Sequence, residues 1–490
     1  VTPRIAKYLI ALLFLALQVA ACAHYPLNTQ SDSPFIKDVG YRFDNLQAIP
    51  GKSDSLFICL TLSGGGTRAA ALAYGVMEEL SKTRIRVDGK EKSLLDEVDV
   101  ISSVSGGSFT AAYYGLFRDR LFTDFRTRFL ERNIQGALIA RLFNPVNLVR
   151  LASPWFSRID LAAEFYDQEL FDNATFAQLQ HNGRPLVIIN ATNLGPGRRF
   201  DFTQDYFDSI GSRLDKYPVS RAVAASSAFP FLLSPISLKN YPTAEGFEPP
   251  AWYKGALDNP EDWTTPRYNA AKNFQVYLDK QNAYVHLMDG GLADNIGIRA
   301  VLDAYDRGFI WTRINKGKIK HLVFIVVNAR TESEDTLSRK ESPPGFRTVA
   351  EKTASTAMDN YSFESIEQVR SELKARVQNQ KVLEAANQRL QQYCPQAPEF
   401  TPFKAEVDTY VVEINFKAVA LISGEDPHYY LDLPTNFNLS KEQIEKLIAI
   451  GPKLLNASPE YRCLLKVLQA EAVGRPRPKE CPMGVGITGN

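Results

Sequence analysis

The sequence predicts an α/β fold in three layers, with helices on both faces of a sheet. Three observations carry this. First, the runs SLFICLTL (Ser55–Leu62), RPLVIINATN (Arg184–Asn193) and KHLVFIVVNA (Lys320–Ala329) are strand-length and apolar on both faces, as central parallel strands covered by helices must be. Second, the segments after the strand-like runs repeat apolar residues at helical spacing: Ala69, Leu72, Ala73, Val76 and Leu80, then Phe109, Ala112, Tyr113 and Leu116. Third, 45% of the 490 residues are hydrophobic, enough for a large core. Strand and helix in alternation give layered α/β architecture.

Taken in order, the chain opens with Arg4 and Lys7 ahead of YLIALLFLALQVAACA. A charged stretch, a short apolar stretch and then small residues make an export signal, and the apolar run is short for a membrane span. Val19-Ala20-Ala21-Cys22 resembles the lipobox of bacterial lipoproteins, with a plain secretory signal as the alternative. The resemblance implies residues 1–21 as a signal peptide and Cys22 as the acylated new N-terminus. Two or three acyl chains anchor stably where one does not. Ala23 lacks the acidic side chain that marks inner-membrane retention, so the expected place is the cell envelope, on the outer membrane facing the periplasm. Residues 22–53 are polar and read as a tether, 54–330 as the main α/β domain, and 331–490 as a helical extension with a strand and helix returning to it.

Within these bounds, residues 240–282 are rich in Pro, Tyr, Trp, Asn and Gly and read as a surface loop or cap. Residues 349–393 read as a charged helix laid on the main domain. Ser440-x-x-Gln443 is a capping box ahead of an apolar helix. A formal net charge of +1 without a basic run excludes the electrostatic footprint of a nucleic-acid binder. Cys59 lies in an apolar run and reads as a buried thiol. Cys394, Cys463 and Cys481 allow at most one pair, and their spacing is too wide for zinc.

Three strand ends carry chemistry. SGGGTRA ends a strand and opens a helix with three glycines, whose amides suit an oxyanion or a phosphate. Thr67-Arg68 does not supply the Lys-Ser/Thr of a phosphate-binding loop. DVISSVSGGS sets Ser105 between small residues at a strand-to-helix turn, the logic of a nucleophile elbow; read alone, an ordinary strand-end turn fits as well. A serine needs a base. Of five histidines, His24 lies beside the lipidation site, His321 begins its strand, His181 sits in a polar turn and His286 alternates away from Asp289. Only His428 stands in order for a Ser-Asp-His triad. The other base is Asp289, delivered by AYVHLMDGG to a strand tip where Gly290 and Gly291 let the chain turn.

Four blocks together, LSGGGTRAAALAYGVMEEL, ISSVSGGSFTAAYYG, YPVSRAVAASSAFPFLLSPI and LMDGGLADNIGIRAV, resemble the patatin-like phospholipases. The resemblance implies that family's α/β/α sheet over roughly residues 54–330. It implies a dyad of Ser105 (nucleophile) and Asp289 (base), and an oxyanion hole from the amides of Gly64, Gly65 and Gly66. Arg68 matches the basic residue that braces this loop; Gly107, Gly290 and Gly291 support the turns. Ser103 and Ala69 stand where the family usually has glycine. The implied substrate is a phospholipid or other acyl-ester lipid, cleaved through an acyl-enzyme with no metal or cofactor. An acyltransferase, a neutral-lipid esterase and a non-catalytic lipid-binding lipoprotein remain as alternatives.

Overall fold

The computed structural model describes residues 23–230, 232–332, 341–398 and 407–481. The signal peptide 1–21 and Cys22 lie outside the described residues. In chain order the elements that position the site are β1 (Leu56–Leu62), α1 (Gly66–Lys82), a hairpin of β2 (Arg84–Val87) and β3 (Lys90–Ser93), β4 (Val98–Val104) and α2 (Gly106–Phe117). The short helices α3 (Ile134–Leu142) and α4 (Pro145–Leu151) lead to α5 (Arg158–Glu169). Then come β5 (Leu186–Asn193), β6 (Arg198–Asp201), α6 (Val219–Ser226), β7 (Ile236–Lys239), α7 (Pro266–Leu278) and β8 (Tyr284–Asp289). The chain closes with α8 (Ile298–Arg307), β9 (His321–Asn328), α9 (Phe346–Tyr393), β10 (Asp408–Asn415), α10 (Lys441–Ala457) and α11 (Pro459–Ala472).

The main sheet runs β10-β9-β1-β4-β5-β8-β7, with β6 on β5. From β10 to β5 the strands are parallel. β6, β7 and β8 pair antiparallel. β1, β4, β5 and β9 are buried along their whole length, which is why their sequences show no polar alternation. On one face α10 packs on α1 and α1 on α2. On the other, α8 packs against β4 and brings Tyr305 edge-on to Phe324 of β9. The result is the three-layer α/β/α arrangement, and β1 lies where the connections part to either side, the place where open α/β sheets form their ligand crevice.

Three sequence expectations need correction. The stretch after Cys22 is not a loose tether from residue 23 onward: Tyr41, Phe43 and Leu46 are buried, Phe43 stacks on Phe309 at 4.4 Å, and the Tyr41 hydroxyl donates to the Val187 carbonyl at 3.1 Å. Three large apolar groups in a polar stretch are enough to pin it. Residues 240–282 are partly helical, because Thr265 caps α7 by accepting from the Tyr268 amide and Pro266 suits the first turn. His181 lies in a helix, Phe176–Asn182, rather than a turn. The capping box at Ser440 and Gln443 is formed as read. Cys463 pairs with Cys481; Cys59 is a buried free thiol and Cys394 an exposed one. Among the described residues no helix is long and apolar enough to cross a membrane.

Candidate active site

β4 delivers Ser105 at φ 48°, ψ −119°, outside the regions an L-residue occupies comfortably. Holding a side chain there costs on the order of 1–3 kcal/mol, so the surroundings must enforce it. The Ser105 amide donates to the Ser226 hydroxyl at 2.8 Å, and that hydroxyl donates to the Asn190 carbonyl of β5 at 2.6 Å. Gly106 lies so close to the glycine loop that a Cβ there would sit 2.1 Å from the Gly66 carbonyl oxygen. The Gly107 amide donates to the Ser63 carbonyl at 3.2 Å. The Ser105 turn and the glycine loop are therefore in backbone contact. Ser103, where glycine was expected, is wholly buried and donates to the Ile188 carbonyl at 3.2 Å, so the turn absorbs it.

Asp289 reaches the same place from the opposite direction. Because β8 runs antiparallel to β5, Asp289 pairs with Ala191, one residue beyond Asn190, which itself pairs with Val104. This sets the carboxylate level with Ser105. Gly290 makes the turn possible, since a Cβ there would fall 2.3 Å from the Asn190 carbonyl oxygen. Asp289 is 2% exposed and one carboxylate oxygen accepts from the Gly291 amide at 2.8 Å. Burial pushes its pKa up to about 7; hydrogen bonds from the Gly291 amide and the Ser105 side chain oppose that rise. Among the described residues no cationic side chain contributes, so desolvation wins.

The glycine loop supplies fewer donors than expected. The Gly64 amide donates to the Asn295 carbonyl at 2.9 Å and is spent. The Gly65 and Gly66 amides have no acceptor among the described residues, and Gly65 caps α1 at the positive end of its dipole. Arg68 braces the loop: its guanidinium donates to the Ala329 carbonyl at 2.9 Å, the Leu433 carbonyl at 2.6 Å and the Thr435 hydroxyl at 3.0 Å. The Thr67 amide donates to the Asn436 carbonyl at 2.9 Å, so the segment 433–436 closes the loop from behind.

The histidines stay apart from this cluster. His286 hydrogen-bonds Ser237 on the exposed face of β8. His321 is at the far edge of the sheet, with Asp408 and Glu471. His428 is exposed on a short helix, Pro427–Leu431, with no hydrogen bond to Ser105 or Asp289. Sequence reasoning missed Ser226, although it lies in the third resembling block, and Asn295, whose carbonyl takes the Gly64 amide. A cavity of about 860 Å³ lies between Arg42, Trp252 and Asp303 and includes neither Ser105 nor Asp289.

The family model of patatin-like phospholipases matches residues 60–302, the span that holds the glycine loop, Ser105 and Asp289. Those residues belong to the patatin-like phospholipase family. No curated protein matches the chain in sequence. Solved structures similar to it include human GIVD cytosolic phospholipase A2, at 14% identity over 86% of this chain and 61% of that one, TM-score 0.40. The same human enzyme in complex with methyl gamma-linolenyl fluorophosphonate and terbium chloride aligns at 16% identity over 56% of this chain and 41% of that one, TM-score 0.29. VipD from Legionella pneumophila aligns at 13% identity over 82% of this chain and 66% of that one, TM-score 0.28. The matched span ends within α8. The segment 433–436 that braces its glycine loop comes from beyond the matched span.

Proposed function

We propose that the chain is a lipid-anchored serine acyl hydrolase of the phospholipase A or lysophospholipase type, working through a Ser105–Asp289 dyad. The observation that carries this reading is the pairing itself: the hydroxyl of a serine with strained backbone against a buried carboxylate that has no counter-cation among the described residues and is pushed up to about 7. An aspartate near its ordinary pKa, about 3.9, is a poor base for a hydroxyl. One held near working pH suits proton transfer. With one carboxylate oxygen fixed by the Gly291 amide, the other takes the Ser105 proton as the serine oxygen attacks the ester carbonyl. The Gly65 and Gly66 amides receive the oxyanion. Asp289 then protonates the leaving alcohol; water, deprotonated in turn by Asp289, attacks the acyl-enzyme, and Asp289 returns that proton to the departing Ser105 oxygen as the fatty acid is released.

Membership of a phospholipase family supports a lipid carboxylic ester as substrate. The lipobox-like sequence supports acylation of Cys22 and a place in the bacterial envelope, on the outer membrane facing the periplasm. The Cys463–Cys481 bond fits an oxidising compartment. The decisive experiment compares wild type with Ser105→Ala on phospholipid and soluble acyl esters, together with fluorophosphonate labelling. Hydrolysis and label both lost in the variant is the expected result. Full hydrolysis by Ser105→Ala would overturn the nucleophile, and labelled fatty acid incorporated equally after Cys22→Ser would overturn the anchor.

A further inference from the structure

One face of the molecule carries apolar side chains that the core does not claim. Along α3, α4 and the turn after them, Ile139 is 45% exposed, Phe143 73%, Val146 64%, Leu148 52% and Trp155 52%. Such a cluster on a surface marks a contact rather than ordinary solvent-facing chemistry. Between Glu131 and Asp160 the sequence has no acidic residue and four arginines, Arg132, Arg141, Arg150 and Arg158. Arg132 and Arg141 are held by Glu169, and Arg150 by Glu164; Arg158 is exposed. Aromatic and aliphatic side chains rimmed by arginines, on short helices lying along a surface, are the composition of an interfacial membrane contact.

Two further observations place this face. The chain that follows Cys22 is fastened to it: the Ser153 hydroxyl donates to the Ala23 carbonyl at 2.6 Å, the Tyr25 amide donates to the Trp155 carbonyl at 2.8 Å, and the His24 ring stacks toward Trp155 at 6.2 Å. The face also borders both halves of the candidate site. At its start the Gln135 amide donates to the Phe437 carbonyl at 3.2 Å, next to Asn436, whose carbonyl takes the Thr67 amide behind the glycine loop. At its end the Ile159 amide reaches the Ser234 hydroxyl at 3.5 Å, in the loop after Ala228, whose carbonyl takes the Asp289 amide. Leu232, in that same loop, is 52% exposed.

We propose that α3, α4 and the Trp155 turn form the surface by which this protein docks on a lipid bilayer, beside the mouth of the Ser105 site. The proposal rests on the membrane-anchored reading above for its occupant. The residue after the acylated cysteine is bonded to this face, so the anchor and the apolar side chains meet the same plane. The acyl chains tether; the face orients, so that a lipid ester rises toward Ser105 rather than diffusing through water.

The test uses the mature lipoprotein in phosphatidylcholine–phosphatidylglycerol vesicles, with and without brominated acyl chains. Trp155 fluorescence is expected to be quenched by brominated lipid, and that quenched component to vanish in Trp155→Phe. Phe143→Ser/Val146→Ser/Leu148→Ser is expected to lower hydrolysis of vesicle phospholipid at least tenfold while leaving a soluble short-chain acyl ester within twofold. No quenching of Trp155 overturns the proposal, as does an unchanged vesicle rate in the triple variant or a protein dimer that covers the face. If the triple variant loses both activities through misfolding, the quenching result decides alone. If wild type hydrolyses neither substrate, the hydrolase reading fails, and quenching still decides the docking.

Discussion

Asp289 and Asp408 lie toward opposite sides of one sheet, on β8 and on the edge strand β10, 2% and 3% exposed, and hold their protons in opposite ways. At the end of β8, Asp289 has among the described residues only the Gly291 amide and the Ser105 hydroxyl, and burial drives it up to about 7. At the start of β10, burial also pushes Asp408 upward, but hydrogen bonds from His321, Arg477 and Tyr410 overcome it and hold it at about 2. Arg477 stands 2.7 Å from the carboxylate and His321 3.5 Å. The difference teaches that burial alone does not make a carboxylate reactive. What differs is the counter-charge: among the described residues Asp289 has none, as the proposed base requires, whereas Asp408 is a fixed anion that ties β9, β10 and the C-terminal segment together.

The hardest break is at the reactive pair. Ser105→Ala and Asp289→Asn should each lower ester hydrolysis by about a thousandfold or more, read as kcat/KM on a soluble ester. The two should then part in stability. The folded Asp289 keeps its proton to about pH 7, whereas an unfolded aspartate loses it near 3.8. Its ionisation in the fold therefore costs stability as pH rises from about 4 to 7, and the full cost is present above 7. Asp289→Asn should raise the melting temperature at pH 8 and leave it near wild type at pH 4; a lower value at pH 8 would contradict the desolvated base. For the same reason wild-type kcat/KM should climb with pH through about 7.

Asp408→Asn should give the converse: activity within twofold and stability lower by about 2–4 kcal/mol at pH 7, measured by denaturant titration. Because its folded pKa lies below the unfolded value, this stabilisation is complete above about pH 4 and is lost as pH falls through about 2. Met358→Lys would bring to Asp289 the charge it lacks, since the Met358 sulfur packs against Gly291. The acid limb of the pH–rate profile should move down by about one unit, and an unmoved limb would show that counter-charge is not what sets the base. The smallest effect belongs to His428→Ala, which should leave hydrolysis within twofold; a large loss would replace the dyad with a triad.

Much of the fold was legible because the central strands are buried on both faces and so read as unbroken apolar runs. Direction was not legible: nothing in AYVHLMDGG says that β8 runs against β5, yet that reversal sets Asp289 level with Ser105. The burial of Tyr41 and Phe43 within the stretch read as a tether was not legible, because their partners, Val187 and Phe309, come from far along the chain. The glycine triplet was visible, but that the Gly64 amide is spent depended on Asn295. His428 has the right order for a triad, but it is exposed and makes no hydrogen bond to Ser105 or Asp289.

The sequence by itself determined which chemical groups stand at strand ends: a serine among small residues, a glycine loop opening a helix, and an aspartate before two glycines. Those are local facts, set by backbone geometry within a few residues. Only the tertiary structure decided what each group does. A pKa, a free amide and an exposed apolar face all depend on what is packed nearby, and at this site the neighbours come from β5, the loop after α6 and the segment 433–436, all distant in sequence from Ser105.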